Sequence, residues 1–484
     1  MNFCDRLHSV RLVALAGTLA VWFPDLVQAT PVDPAIMARF EQRSLSPQRL
    51  ALLESQRLIE KGRRLFISET FNGNGRTCAS CHPPTNNFTI DPAFIATLPD
   101  DDPLFVAELN PALAALEDPE LMRRFGLILE NLDGFDRPGV FRGVPHTLGL
   151  RVSMTVNPAG EANLTRADGS TVVEATGWSG DGSPGDGSLR SFTIGAVVQH
   201  FPKTLNRVPG EDFRLPTEAE LDALEAFQLS LGRQTELDLA TLSFATADTR
   251  TGMDLFNGIG TNRACSFCHS NAGANDADGF NRNFATNAAG LADTPARQFD
   301  PDLPGDGGFD SGPEFEVAGM AMSFFGNTTM NTASLVEAAD TAPFFHNNSA
   351  ETIEDAVRFY TTRTFDPEDP FQLDDRQIDQ VAAFLRALNA LENIRSSNAY
   401  SLQARRARTS FAGQTTALAV ADTTDAIEVL TGGPLELYPE AVGLLTEALE
   451  LELAARSILE ADLRNALLRR AEALKNEARA TILE

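Results

Sequence analysis

Cysteine, histidine, tryptophan and tyrosine are all scarce in this chain of 484 residues, numbering 5, 6, 2 and 3. Each scarcity narrows the possibilities. Five cysteines are too few for a disulfide-stapled scaffold. Lysine and arginine total 39 against 67 acidic residues, a net charge of −28. So acidic a surface argues against nucleic acid and anionic membranes as partners. It suits a basic protein partner or a neutral small oxidant, and it also serves plain solubility. Long apolar runs are missing as well. The run Leu12 to Phe23 is too short for a membrane span, so no stable membrane insertion is expected.

That run reads instead as the core of a secretory signal. Arg6 and Arg11 form its basic region, and Val27-Gln28-Ala29 offers small residues for cleavage. A retained N-terminal anchor is the alternative. Cleavage after Ala29 would remove Cys4 and Trp22 and leave about 455 residues, enough for two or three domains. The expected location is periplasmic or secreted, in a bacterium, with Trp178 as the single remaining tryptophan.

The four cysteines left all fall in two copies of one motif: Cys78-Ala79-Ser80-Cys81-His82 and Cys265-Ser266-Phe267-Cys268-His269. Cys-x-x-Cys-His is the attachment signature of c-type haem. Each cysteine adds to a haem vinyl group, and the histidine presents its imidazole to the iron. A zinc site would draw on neighbouring Cys/His pairs to complete a tetrahedron, and a thioredoxin-type site would need a βαβ context. Neither fits two isolated copies 187 residues apart. Two covalently bound haem c groups are therefore expected, on His82 and His269.

The motifs sit in a diverged internal repeat. Gly62-Arg63-Arg64-Leu65-Phe66 precedes the first and Gly252-Met253-Asp254-Leu255-Phe256 the second. Each repeat ends in an amphipathic helix. Thr217 to Leu231 carries a Thr217-x-x-Glu220 capping box and apolar residues at helical spacing, and Asp374 to Leu388 repeats that spacing. The spacing predicts a mainly α fold with two tandem cytochrome c-type haem domains, 30–235 and 236–395. Residues 1–29 are the signal and 396–484 a C-terminal helical extension. The loops, such as Asp181 to Gly187 and Asp300 to Gly312, are long enough to wrap a cofactor. In the extension, Glu440 to Leu474 suits one or two long helices that pack or dimerise.

The segment Thr341-Ala342-Pro343-Phe344-Phe345-His346, followed by Thr352-Ile353-Glu354-Asp355-Ala356-Val357-Arg358-Phe359-Tyr360, resembles the second haem domain of bacterial di-haem cytochrome c peroxidases and MauG-type enzymes. The resemblance covers roughly residues 55–395. It implies that the residue fourteen positions after His346 is the distal ligand of the second haem: methionine in the peroxidases, tyrosine in the MauG type, and here Tyr360. The alternative for Tyr360 is a helix residue whose hydroxyl bonds locally. Met320, Met322 and Met330 are rival ligands without the family spacing. A phenolate ligand would stabilise ferric and higher states, where a thioether favours ferrous iron. His346 is read as a hydrogen-bond donor beside the second haem rather than as a ligand.

The same resemblance implies that Trp178, in Trp178-Ser179-Gly180-Asp181-Gly182, lies between the haems as an electron relay; core filler is the alternative. No histidine lies between His82 and Pro145, so the first haem is expected to keep an open or water-bound sixth position. The family's distal glutamate falls at Pro202, in Gln199-His200-Phe201-Pro202-Lys203. His200 could supply the missing proton shuttle, ligate the iron or satisfy a loop carbonyl. His146 reads as structural. The family also binds a calcium ion through backbone carbonyls, here those of Thr341 and Pro343, and an asparagine whose position reads Gly143.

The reaction implied is that of hydrogen peroxide at the His82 haem, with electrons from a redox protein partner, donor or substrate. A dioxygen-using di-haem oxygenase is the enzyme alternative, and a non-catalytic electron-transfer cytochrome the other.

Overall fold

A computed structural model describes residues 47–131, 135, 140–153, 164–165, 171–172, 189–275, 283–285, 315–317, 320–322, 329–363, 365–366, 368–407 and 409–484. Residues 55–484 form one compact unit; residues 1–54 form another, of which only the start of the first helix is described. The architecture is mainly helical. The principal helices are α1 (Pro47–Ser68), α2 (Leu189–His200), α3 (Glu218–Gln228), α4 (Ala247–Phe256), α5 (Ile353–Phe359), α6 (Asp375–Arg406), α7 (Thr409–Thr431), α8 (Pro439–Arg456) and α9 (Ala461–Ile482). Strand structure among the described residues is confined to two-stranded ribbons. The one used below pairs β1 (Leu127–Glu130) with β2 (Val140–Gly143), antiparallel, with Leu127 opposite Gly143.

The repeat read in the sequence becomes two helix crossings of one design. A side chain at Gly62 of α1 would lie 1.8 Å from the Ala223 carbonyl oxygen of α3. A side chain at Gly252 of α4 would lie 1.8 Å from the Gln380 carbonyl oxygen of α6. Only glycine lets the backbones meet this closely. One turn further on, Phe66 meets Phe227 with ring centroids 5.2 Å apart, and Phe256 meets Phe384 at 5.3 Å. Each ring pair anchors its own apolar cluster, with Val197, Leu221 and Leu224 around the first and Phe244, Val381 and Leu388 around the second.

The capping box forms at α3, where the Glu220 carboxylate accepts the Thr217 amide at 2.9 Å. The second closing helix is longer than the expected Asp374 to Leu388. It starts at its Asp374 cap and runs to Arg406, because no glycine or proline interrupts it and two internal asparagines find partners: Asn389 and Asn393 each donate to Asp340 Oδ2 at 2.8 Å. The expected boundary between 395 and 396 thus falls inside one helix. Beyond it, α8 and α9 are the two long helices of the Glu440 to Leu474 stretch, and α7 precedes them. Their Ala426, Val429, Leu430, Leu445, Ala478 and Ile482 join the apolar cluster around Phe384. Among them Lys475 and Glu452, both 0% exposed, pair at 2.5 Å, with hydroxyls of Ser397 and Ser401 also on the ammonium. No helix among the described residues is long and apolar enough to cross a membrane.

Candidate haem centres

Cys78 and Cys81 occupy a single helical turn, Cys78–Cys81, and His82 caps it with non-helical φ −123° and ψ 61°. The turn puts both sulfurs on one side, with the imidazole leaving the helix path. His82 Nδ1 lies 2.8 Å from the Phe88 carbonyl oxygen. A carbonyl only accepts, so Nδ1 carries the proton and Nε2 keeps its lone pair for a metal. Burial draws His82 down to about 4, so the ring is neutral, the form that ligates iron. Burial also pushes Cys78 up to about 12 and Cys81 to about 11.

The second motif repeats this arrangement on a 3₁₀ turn, Cys265–Phe267. His269 Nδ1 lies 2.9 Å from the Ala333 carbonyl oxygen and 3.3 Å from that of Gly273. Burial again draws the imidazole to about 4 and pushes Cys265 to about 12. None of the four cysteines forms a disulfide. In both places the donor set fits a covalently held haem: two thiols, and a neutral imidazole whose outer nitrogen is tied to backbone.

Tyr360 ends α5 and stands within electrostatic reach of Cys265 and Cys268; burial, then these two thiols, raise its proton affinity. Its hydroxyl makes no hydrogen bond with the described residues, and an aromatic wall surrounds it: Phe365 at 4.8 Å, Phe359 at 5.7 Å, Phe371 at 6.0 Å and Phe345 at 6.5 Å between ring centroids. Residue 346 follows Phe345, and the His346 carbonyl oxygen accepts the Gly143 amide at 2.8 Å, so this segment ties β2 to the neighbourhood of Tyr360. Met320, Met322 and Met330 lie on short strands whose side chains fall outside the described residues, as does all of Trp178.

Thr341 and Pro343 flank a turn with a cis Ala342–Pro343 peptide. A Cβ at Gly143 would lie 2.1 Å from Asn348 Oδ1, so the Asn348 amide fills that place, anchored by donation to the Phe125 carbonyl at 2.8 Å.

Comparison with protein-family models and with curated proteins finds no match.

Around the first motif the structure gathers more than the sequence suggested. His200 is the last residue of α2 and lies within electrostatic reach of His82, as does the buried His146, which burial draws to about 4. Two further groups had no sequence signal. Arg76 and Glu117, with side chains 1% and 0% exposed, pair at 2.7 Å. Glu117 Oε1 then lies 3.8 Å from His200 Nδ1. An acid in an early loop has no motif spacing to give it away; its role depends on tertiary contact alone.

Proposed function

We propose that this chain is a secreted or periplasmic di-haem c-type oxidoreductase, resembling the cytochrome c peroxidase and MauG family, that reacts with hydrogen peroxide at the His82 haem. Two tandem haem domains, a first around α1 and α3 and a second around α4 and α6, belong to that reading. The observation that carries it is the duplicated donor set: two Cys-x-x-Cys-His turns, each with its histidine Nδ1 bonded to a backbone carbonyl and Nε2 left for a metal. Bound haem would supply the oxidant-binding position and the electron storage.

The chain's own residues then divide the work. The Phe88 and Ala333 carbonyls fix the tautomer and orientation of His82 and His269. His200, half-buried and within electrostatic reach of His82, is the group able to hold or pass a proton at its ring nitrogen. Tyr360, whose hydroxyl makes no hydrogen bond with the described residues and which lies within reach of the second pair of thiols, is the distal ligand candidate. Four phenylalanine rings pack around it. Trp178 is carried as the relay between the two centres. The Thr341 and Pro343 carbonyls with Asn348 are carried as the calcium donors, to be checked by metal analysis before and after chelation. The acidic surface suits a basic redox protein as donor or substrate.

The intact mass of the purified protein should exceed the polypeptide mass by two haems, and one haem or bound zinc would end this reading. Tyr360→Phe should abolish the low-spin EPR signal of one haem and raise its potential. An unchanged signal that disappears in Met320→Ala or Met322→Ala would remove Tyr360 as ligand. Prompt oxidation of the resting protein by peroxide separates the peroxidase from a carrier cytochrome, which would bind neither peroxide nor cyanide.

A further inference from the structure

His200 sits in a corner built with more attention than a loop histidine needs. Its backbone carbonyl accepts from Asn74 Nδ2 at 2.9 Å, and Asn74 Oδ1 accepts the Arg76 amide at 3.0 Å. The short segment before the first haem motif thus grips the end of α2 and places Arg76 beneath it. Arg76 is held in turn. Nη2 donates to the Leu104 carbonyl at 2.6 Å, Nε to that of Pro103 at 3.3 Å, and Nη1 to Glu117 Oε1 at 2.7 Å. The other Glu117 oxygen accepts the Leu129 amide of β1 at 2.7 Å. A second route closes the frame: Gln199, next to His200, donates to the Leu129 carbonyl at 3.0 Å and accepts the Asn131 amide at 3.2 Å. The imidazole and the carboxylate are therefore located by independent sets of bonds, and they face each other at 3.8 Å.

That separation is too long for a hydrogen bond, and His200 Nδ1 has no hydrogen-bond partner. It is short enough for a strong charge interaction in a buried place. A carboxylate fixed by a guanidinium and an amide is ionised, as the lowered proton affinity of Glu117 indicates despite its burial. The cations acting on the imidazole are Arg76 and Arg207. Glu117 acts in the opposite sense and raises its proton affinity.

We propose that Glu117 is the positioning residue of His200: its carboxylate turns Nδ1 toward itself, favours a proton there, and leaves Nε2 on the opposite side of the ring for proton exchange at the first centre. The inference rests on reading His200 as the acid–base group of that centre. Arg76 sets the strength of the effect, because its guanidinium competes for the same oxygen. Removing the carboxylate and removing the guanidinium should thus act on His200 in opposite directions, which a merely structural pair would not do.

Hydrogen–deuterium exchange at the imidazole C2 carbon, read peptide by peptide by mass spectrometry on the haem-loaded protein, reports the protonation midpoint of each histidine. His146 is an internal reference, a buried histidine on which His82 also acts. In the unaltered protein the His200 midpoint should lie at least one pH unit above that of His146, a tenfold difference in proton affinity. Glu117→Gln should bring it down to the His146 range, Glu117→Asp should restore part of the difference, and Arg76→Met should raise it. Coincident midpoints in the unaltered protein would overturn the proposal even if no variant folds. So would shifts of the same sign in Glu117→Gln and Arg76→Met. Peroxide reactivity of the same samples is a separate result: a protein that titrates as stated but ignores peroxide sinks the proposed oxidant, not this pairing.

Discussion

Gly252→Ala sets two opposed effects against each other. Replacing a helical glycine by alanine ordinarily stabilises by about 1 kcal/mol. At Gly252 the new methyl would lie 1.8 Å from the Gln380 carbonyl oxygen and 3.0 Å from Phe384 Cβ. Carbon atoms pack comfortably at roughly 3.5–4.0 Å, so α4 and α6 would have to part by well over an ångström. A backbone oxygen cannot rotate away as a side chain can. Parting the helices also loosens Phe384 from Phe256 and Phe244, now 5.3 and 5.8 Å away. Overpacking of this kind costs about 1–3 kcal/mol, more where backbone must shift. The clash therefore wins, with a net loss of about 2 kcal/mol. Gly443 supplies the control, because it lies in α8 with nothing within 4 Å of a added Cβ; there alanine should stabilise. Urea unfolding followed by circular dichroism and by haem absorbance measures both. Gly62→Ala should match Gly252→Ala and disturb the first haem's spectrum instead of the second's. A Gly252→Ala protein as stable as Gly443→Ala would refute the close crossing and, with it, the structural equivalence of the two repeats.

In the tail, Lys475→Met should cost about 3–5 kcal/mol because it strands the buried Glu452 charge, whereas Lys475→Met with Glu452→Leu should recover most of that loss; equal losses in urea unfolding would contradict the pairing. Burial pushes the Asp422 carboxyl from 3.8 up to about 8, with Asp340 adding to the effect. Between those values the folded chain holds a proton that the unfolded chain releases, so stability falls as pH rises through that window. Asp422→Asn should therefore raise the melting temperature near pH 8 and change it little below pH 4, and a gain of the same size at both would rule this out.

Local signals of spacing were legible. The glycine four residues before a phenylalanine marked both crossing helices, and Thr217-x-x-Glu220 marked the start of α3. Helix ends were less legible, since α6 runs past Leu388 on the strength of tertiary bonds from Asn389 and Asn393 to Asp340. Residues that act through space were not legible at all. Nothing near Glu117 hints that Arg76, far off in sequence, will share its oxygen with His200, and nothing at Asn348 announces that it fills the place left by Gly143. Tyr360 was singled out in the sequence by the family resemblance, fourteen positions after His346. Its company of four phenylalanines was not, because they come from three separate segments.

The tail shares in the framework of the first centre as well as the core of the second half. Arg386 of α6 holds Glu354 of α5 through two bonds of 2.8 Å, and its guanidinium abuts Gly433, just beyond α7, leaving no space there for a side chain. On the other side, Asn87 donates to the Asp340 carbonyl at 3.2 Å and lowers the proton affinity of Asp425 of α7. Asn87 adjoins Phe88, whose carbonyl orients His82. The tail thus reaches the residue next to the one whose carbonyl sets the first imidazole. Asp340 receives Asn389 and Asn393 on its side chain and Asn87 on its backbone, so α6, the loop after the first motif and the segment leading to Tyr360 meet at a single acidic residue. An appendage tethered only by its chain end would not need such bonds. The extension is built in beside the loop that orients the first imidazole and against α5 and α6, and its helices belong to the same compact unit.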